Sequence, residues 1–175
     1  QIALDEIGVG AVIETLTKDK DKLLAFDERI VNAVITLNNV HVSKAFIASC
    51  KELYQGYMYS ELMVNATVRE GDKVFSEYQF ATGLKGLEIL ECLDEKIELV
   101  AKEALELLKS EPLTPGVYDV ICTPLVSGVI AHEAFGHGVE MDMFVKNRAL
   151  AKNHIGEVVA SPLVTMVDGA LPKEE

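Results

Sequence analysis

The stretch "YSELMVNATVREGDKVFSEYQFAT", residues 59–82, decides the fold. On either side of its centre, short runs rich in β-branched and aromatic residues alternate partly between apolar and polar positions, as strands with one buried face do. The centre, Arg-Glu-Gly-Asp-Lys, is a tight-turn sequence in which Gly71 is free to take a positive φ. We therefore predict that residues 59–69 and 73–82 pair as an antiparallel hairpin.

The segments before and after this hairpin extend the same architecture. Residues 30–37 and 40–49 have the same β-branched texture and predict two more strands, four in all. Residues 94–110 predict an amphipathic helix, with acidic residues early and Lys109 late, as suits the helix dipole. Its apolar stripe comprises Ile97, Val100, Ala101, Ala104, Leu107 and Leu108. With a further helix predicted within residues 5–26, the fold class is α+β, an antiparallel β-sheet with flanking helices.

The segment "SEPLTPG" is the best candidate for a domain boundary, because its two prolines and its glycine stop a helix and are typical of linkers. We predict a mixed α/β domain at residues 1–111, a linker at residues 112–116 and the start of a second domain at residues 117–175. The first residue is Gln1 and not Met. We therefore expect this sequence to be a fragment of a longer protein.

The sequence of the second domain predicts a strand-helix-strand segment. "VYDVIC", residues 117–122, has the composition of a buried strand, and Thr123-Pro124 then supplies a capping hydroxyl and a proline at the first helical position. The helix that follows has almost no polar face, so we predict that it is buried. A β-branched strand is predicted from Leu163 to Asp168, closed by Gly169.

Charge and cysteine content exclude several classes of protein. The 28 acidic residues outnumber 16 basic ones, for a net charge of −12, and a nucleic-acid surface would need clustered positive charge. No run approaches the roughly 20 apolar residues of a membrane span. Cys50, Cys92 and Cys122 are odd in number and form no closely spaced pair, which argues against a disulfide framework. We therefore predict a cytoplasmic protein that binds neither nucleic acid nor membrane.

The predicted buried helix carries "GVIAHEAFGHGVEMD", residues 128–142, and with it His132, Glu133 and His137. Buried imidazole and carboxylate groups need partners, and a metal ion satisfies two imidazoles at once. The alternative is that both histidines are core residues hydrogen-bonded to backbone carbonyls while Glu133 reaches solvent. A zinc-peptidase helix spaces its histidines four residues apart, but here the spacing is five.

That spacing makes a shared metal conditional on an irregular helix. Five residues rotate by about 140° on an ideal helix, whereas four rotate by about 40°. A regular helix would therefore pair Glu133 with His137 and separate the two histidines. A widened π-type turn or a helix break between Ala134 and Gly138 would bring the histidines together, and Gly136 is the residue that resists such a distortion least. From spacing alone, a metal site and a metal-free acid–imidazole pair both stay open.

The stretch "HEAFGHGVEMD", with "IGEVVASPLVTMVDGA" after it and "YDVICTPLVSGVIA" before it, resembles the TldD branch of the TldD/PmbA peptidase family. The family's His-Glu-x-x-x-His signature is present in full. The resemblance implies that residues 117–175 begin a catalytic metallopeptidase domain. It also implies that His132 and His137 bind a divalent metal, expected to be Zn²⁺, and that Glu133 is the general base.

The same resemblance implies an enzyme that hydrolyses unfolded peptides as a homo- or hetero-oligomer with another subunit of the family. The family's third metal ligand is a cysteine near the far C-terminal end, so the resemblance implies a ligand beyond Glu175, and we assign that role to none of the three cysteines here. Glu140 or Asp142 could ligate a metal in its place, and His154 is most simply a loop residue. The alternative function is a non-catalytic peptide-binding or scaffold subunit of a peptidase complex.

Overall fold

The computed structural model describes residues 2–167. Contacts between residues divide the chain into two compact units, Gln1–Leu113 and Thr114–Glu175. Independent domains at residues 1–111 and 117–175, joined by a linker, stay a prediction. Across residues 2–167, no helix is both long and apolar enough to cross a bilayer.

The first unit opens with two helices separated by a single glycine. Helix α1 spans Leu4–Ile7 and α2 spans Val9–Leu24. Gly8 between them has φ 87°, a left-handed conformation that residues with a Cβ rarely adopt, so the helix predicted within residues 5–26 is interrupted at this point. Val12 and Leu23 are the buried residues of α2.

Three strands then form one antiparallel sheet in the order β1-β2-β3. They are β1 (Ile30–Ala48), β2 (Lys51–Glu70) and β3 (Lys73–Gly83). The prediction of four strands was wrong, because residues 30–37 and 40–49 belong to one continuous strand. Asn38 and Asn39 interrupt its apolar texture, but their backbones pair with Glu61 and Ser60. Strand pairing overrides a local change of composition.

The predicted hairpin turn at Gly71 is confirmed. Glu70 pairs with Lys73 across the turn, and Gly71 has φ 60°. The register continues through Leu62, which lies opposite Ala81 on β3 and opposite Leu37 on β1. Because β2 is the central strand, its backbone is hydrogen-bonded on both sides along this stretch.

The core of the first unit lies between this sheet and helix α3 (Leu93–Leu107). A short 3₁₀ helix, Leu87–Cys92, leads into α3. Alternate residues of β2 are buried, and the predicted stripe of α3 is confirmed, with Leu107 half-buried at its end. The facing residues with 1% or less exposure are Leu62, Val64, Ala66 and Val68 on β2, and Ile97, Val100, Ala101 and Ala104 on α3. The α+β class, an antiparallel sheet with helices, is therefore observed.

The second unit, over residues 114–167, contains short helices and turns. Helix α4 spans Pro124–Ala134 and α5 spans Met141–Val145, with 3₁₀ helices at Gly136–Val139 and Leu150–Asn153. Helix α4 begins where predicted, with Thr123 at the N-cap and proline in its first turn, but the Thr123 side chain makes no capping hydrogen bond.

The strand-helix-strand prediction for this unit was wrong in both strands. Neither residues 117–122 nor residues 163–167 form a strand with any part of residues 2–167. Asp168 and Gly169, which were to end the second strand, lie outside the described residues. A β-branched run becomes a strand only where another strand accepts its backbone hydrogen bonds. Val117 and Ile121 are fully exposed, at 103% and 102%.

The prediction that α4 is buried was also wrong for the described part of the chain. None of its side chains is buried. A helix that is apolar on every side needs neighbours on every side, and within residues 114–167 only short segments are present. Leu125, Val129 and Ile130 are 61%, 54% and 52% exposed.

Candidate metal centre

Helix α4 ends between His132 and His137, as a shared metal would require. Helix α4 ends at Ala134, and Phe135 takes φ −139° and ψ −30° before the 3₁₀ helix Gly136–Val139 begins. The amide of Phe135 still donates to Ala131, at 3.1 Å, whereas the amide of Gly138 donates to Phe135, at 2.9 Å. The backbone hydrogen bonds therefore change from a spacing of four residues to a spacing of three at this point. Of the two irregular geometries, the structure has the helix break and not the widened turn.

This break turns the two histidine side chains towards each other. The ring centroids of His132 and His137 lie 4.3 Å apart, with 64° between the ring planes. On an uninterrupted helix the two side chains would point about 140° apart. The convergence of the imidazoles is therefore a direct consequence of the change of helix type.

The carboxylate of Glu133 lies near the Nε2 atoms of both rings. Its Oε1 is 3.9 Å from His132 Nε2, and its Oε2 is 3.6 Å from His137 Nε2. Each of the three residues offers one ligand atom, and these atoms all lie within 4.8 Å of one another. The nitrogen–oxygen separations are too long for direct hydrogen bonds.

The donor set fits a divalent metal ion. Two imidazole nitrogens and a carboxylate are the ligand types that zinc takes, and two ligands of one tetrahedral zinc lie about 3.4 Å apart when each is about 2.1 Å from the ion. The ligand atoms of His132, Glu133 and His137 lie within 4.8 Å of one another, so rotation of these exposed side chains would bring both imidazole nitrogens to a common ion. The side chains are 57%, 65% and 51% exposed for His132, Glu133 and His137.

Gly136 contributes more than a flexible backbone. A Cβ at this position would lie 3.3 Å from Nδ1 of His132 and 3.5 Å from the methyl carbon of Met166. The ring of His132 therefore approaches the backbone at a place where any side chain would crowd it. Sequence reasoning identified Gly136 for its effect on the helix, but it missed this close approach.

Glu140 binds His137 on the other side of its ring. Its Oε1 lies 2.9 Å from His137 Nδ1. This hydrogen bond raises the pKa of His137, and the negative charges of Glu140 and Glu133 add to the effect, while desolvation partly opposes it. Glu140 was predicted as a possible metal ligand, but the converging group of potential ligands among residues 2–167 does not include it.

The remaining candidates lie outside this group in the described part of the chain. Asp142 on α5 pairs at 2.7 Å with Lys146, the residue that directly follows this helix. His154 accepts or donates a 2.7 Å hydrogen bond with Glu157. Cys122 is an exposed free thiol.

Comparison with known proteins matches residues 115–175 to the family model described as the PmbA/TldA metallopeptidase C-terminal domain. A metalloprotease of Methanocaldococcus jannaschii is 32% identical over 146 residues, which cover 82% of this chain and 32% of that protein. A metalloprotease TldD homolog of Haemophilus influenzae is 30% identical over 173 residues, which cover 89% of this chain and 36% of that protein.

The chain belongs to the TldD/PmbA family. A metalloprotease of Methanothermobacter thermautotrophicus extends the same similarity, at 29% identity over 79% of this chain and 31% of that protein. This TldD/PmbA chain spans about a third of the length of these curated relatives. No solved structure matches it. The family resemblance is confirmed, and the roles of His132, Glu133 and His137 within the family's chemistry stay predictions.

Proposed function

We propose that this chain is part of a zinc-dependent peptidase that hydrolyses unfolded peptides. The observation that supports it is the convergence of ligand atoms from His132, Glu133 and His137 within 4.8 Å. The relatives named metalloproteases support a metallopeptidase at the level of the family. The identity of the metal, the class of substrate and the roles of the individual residues are assigned only by this proposal.

In this proposal His132 and His137 hold the metal through their Nε2 atoms. A bound divalent metal supplies a Lewis acid that polarises the peptide carbonyl and acidifies the attacking water. Glu133 accepts the proton of that water and delivers it to the nitrogen of the leaving amine. Its two carboxylate oxygens lie 3.6 and 3.9 Å from the imidazole nitrogens, and this proximity supports the proposed role.

A catalytic zinc usually takes three protein ligands and keeps one position open. Two histidines provide two of them, and the third is proposed to be a cysteine outside these 175 residues, as the family resemblance implies. We also propose an oligomer with a further subunit of the family and a cytoplasmic location. The oligomer is proposed from the family resemblance. The location is proposed because Cys50, Cys92 and Cys122 are free thiols, which is compatible with a reducing compartment.

The surface beside the histidines has the chemistry to accept an apolar peptide side chain. An open groove runs along α4 and is lined by Pro124, Leu125, Gly128, Val129, His132 and Glu133. Its apolar end gives a substrate side chain a surface to bury, while its polar end holds the proposed base. An extended, unfolded peptide can lie in such an open groove more readily than a folded loop can.

The test measures metal content and peptide hydrolysis together in the full-length protein. Glu133→Gln keeps the size of the side chain but loses the charge that accepts a proton, so we expect unchanged zinc content and a kcat lower by about 10²- to 10⁴-fold. His132→Ala and His137→Ala should each lose the metal, because each removes one of about three protein ligands. His154→Ala is the control and should keep both metal and activity.

Each contrary result has a definite meaning. Wild-type hydrolysis by Glu133→Gln would assign the base to another residue. Normal metal content in both histidine variants would refute the metal site itself. A full-length protein that binds unfolded peptides without metal and without cleaving them would favour the non-catalytic subunit.

A further inference from the structure

Two histidine–glutamate pairs of the same spacing occur within residues 114–167. His137 Nδ1 lies 2.9 Å from Glu140 Oε1, and His154 Nδ1 lies 2.7 Å from Glu157 Oε2. Both pairs are about half-exposed. Only the first pair contains a member of the converging ligand group.

Glu140 directly follows the 3₁₀ helix Gly136–Val139, which contains His137. Three residues make one turn of a 3₁₀ helix, so the side chains of residues three apart lie above one another. In an α-helix the same two residues would be offset around the axis. The helix change that brings the histidines together therefore also brings Glu140 onto the far side of the His137 ring.

The backbone of Glu140 is held in place independently of its side chain. It is the N-cap residue of α5, with φ −62° and ψ 130°. Its carbonyl accepts hydrogen bonds from the amides of Met143, at 3.1 Å, and Phe144, at 3.2 Å. The carboxylate thus extends from a fixed point of the chain.

This contact decides which nitrogen of His137 carries the proton. An ionised carboxylate can only accept hydrogen bonds, so Nδ1 must be the donor when the ring is neutral. The lone pair of the neutral ring is then on Nε2. Nε2 is the atom that lies 3.6 Å from Glu133 and faces the converging group.

We propose that Glu140 is a positioning residue that holds His137 in the Nδ1–H tautomer and aims Nε2 at the metal. It acts through His137 and does not itself bind metal or substrate. The inference rests on the proposed function, in which His137 is a ligand. A carboxylate behind a ligating histidine fixes the tautomer and ring orientation and raises the basicity of the ligand.

The first experiment measures the zinc affinity of the full-length protein by competition with a chelator. Loss of such a partner typically costs about 10- to 100-fold in metal affinity, and we expect a loss in this range for Glu140→Ala. Glu140→Gln should lose less, because its amide oxygen can still accept the Nδ1–H bond. Glu157→Ala is the matched control and should bind zinc as the wild type does.

The second experiment reads the tautomer directly in the metal-free protein. Nitrogen-15 NMR of labelled histidines, at a pH where the ring is neutral, should show Nδ1–H for His137 in the wild type and in Glu140→Gln. Glu140→Ala should shift His137 towards Nε2–H, while a loss of structure in the second unit would also alter the signals of His154.

These two readouts separate the failure of this inference from the failure of the proposed function. Wild-type zinc affinity in Glu140→Ala, or an unchanged His137 tautomer in that variant, would overturn the positioning role. A wild-type protein that binds no zinc would instead overturn the proposed function. The tautomer measurement would still decide what Glu140 does to His137.

Discussion

The first unit buries a core between three strands and a helix, whereas the second unit, over residues 114–167, buries a single apolar side chain, Ala149. The converging ligand atoms of His132, Glu133 and His137 are all in the second unit. Buried apolar area is the main favourable term in folding. We therefore expect substitutions in the first unit to change stability and substitutions in the second unit to change metal binding, with little overlap.

The largest expected difference between the units concerns two leucines. Leu62 is 1% exposed in the central strand, and Leu125 is 61% exposed on α4. Leu62→Ala leaves a cavity and should lower the free energy of unfolding of the first unit by about 2–5 kcal/mol. Leu125→Ala should change it by no more than about 0.5 kcal/mol. Urea unfolding followed by far-UV circular dichroism measures both.

Equal losses from the two substitutions would break this comparison. They would mean that Leu125 is buried in the protein in solution and that its side chain contributes to stability as Leu62 does. Zinc content, measured in the same samples, should be unchanged by Leu62→Ala under conditions where the variant is folded.

Two glycines provide a comparison of intermediate size. Gly71 has φ 60°, where a β-branched side chain is strained, so Gly71→Val should destabilise the first unit by about 1–2 kcal/mol. Gly71→Asn is the control, because Asn tolerates this conformation. Gly136→Ala should instead weaken zinc binding, since its Cβ would lie 3.3 Å from Nδ1 of His132. Equilibrium unfolding and chelator competition separate the two effects.

A loss of stability from Gly136→Ala as large as that from Gly71→Val would contradict this prediction. The ring of His132 is 57% exposed, so it can move aside at little cost to the fold. Unchanged zinc affinity in Gly136→Ala would show that His132 can accommodate the added methyl group and still bind the metal.

The sequence predicts those parts of the fold in which local signals agree with tertiary packing. The predictions of the α3 stripe and of the turn at Gly71 were both correct. In each case the sequence pattern that indicates the element agrees with how the surrounding residues pack. Residues 117–122 and 163–167 have the composition of strands but lack a pairing partner among residues 2–167. Composition records a preference for an extended backbone, and only a neighbouring strand converts it into a sheet.

The candidate site was predictable to a similar degree. The five-residue spacing of His132 and His137, together with Gly136, required an irregular helix if the two were to meet, and the break after Ala134 satisfies that requirement. The contact between Glu140 and His137 depends on the 3₁₀ geometry of the following turn. Sequence spacing alone does not distinguish a 3₁₀ turn from a continued α-helix, so Glu140 was assigned as a possible ligand.

The smallest expected effect concerns one ion pair of the first unit. Asp27 lies in the turn between α2 and β1, and its Oδ1 accepts hydrogen bonds from the backbone amide and the Nε of Arg29, both at 2.9 Å. These hydrogen bonds lower the pKa of Asp27 to about 2, with the side-chain bond the larger cause. The effect on stability should be small, because the side chains of Arg29 and Asp27 are still 36% and 23% exposed and solvent screens the pair.

The sign of its pH dependence follows from the lowered pKa. An unfolded Asp titrates near pH 3.9, so the folded state favours the charged form, and the pair stabilises the protein fully above about pH 4. That contribution disappears as the pH falls through about 2, where the folded carboxylate also takes up a proton.

Asp27→Asn should therefore lower the urea midpoint at neutral pH, and its difference from wild type should shrink on acidification. Asp72→Asn, in the turn after Gly71, controls for loss of an exposed carboxylate. Zinc affinity should be the same in all three proteins. If the urea midpoint of Asp27→Asn differs from that of wild type by as much at about pH 2 as at neutral pH, the charge of Asp27 is not what stabilises this turn.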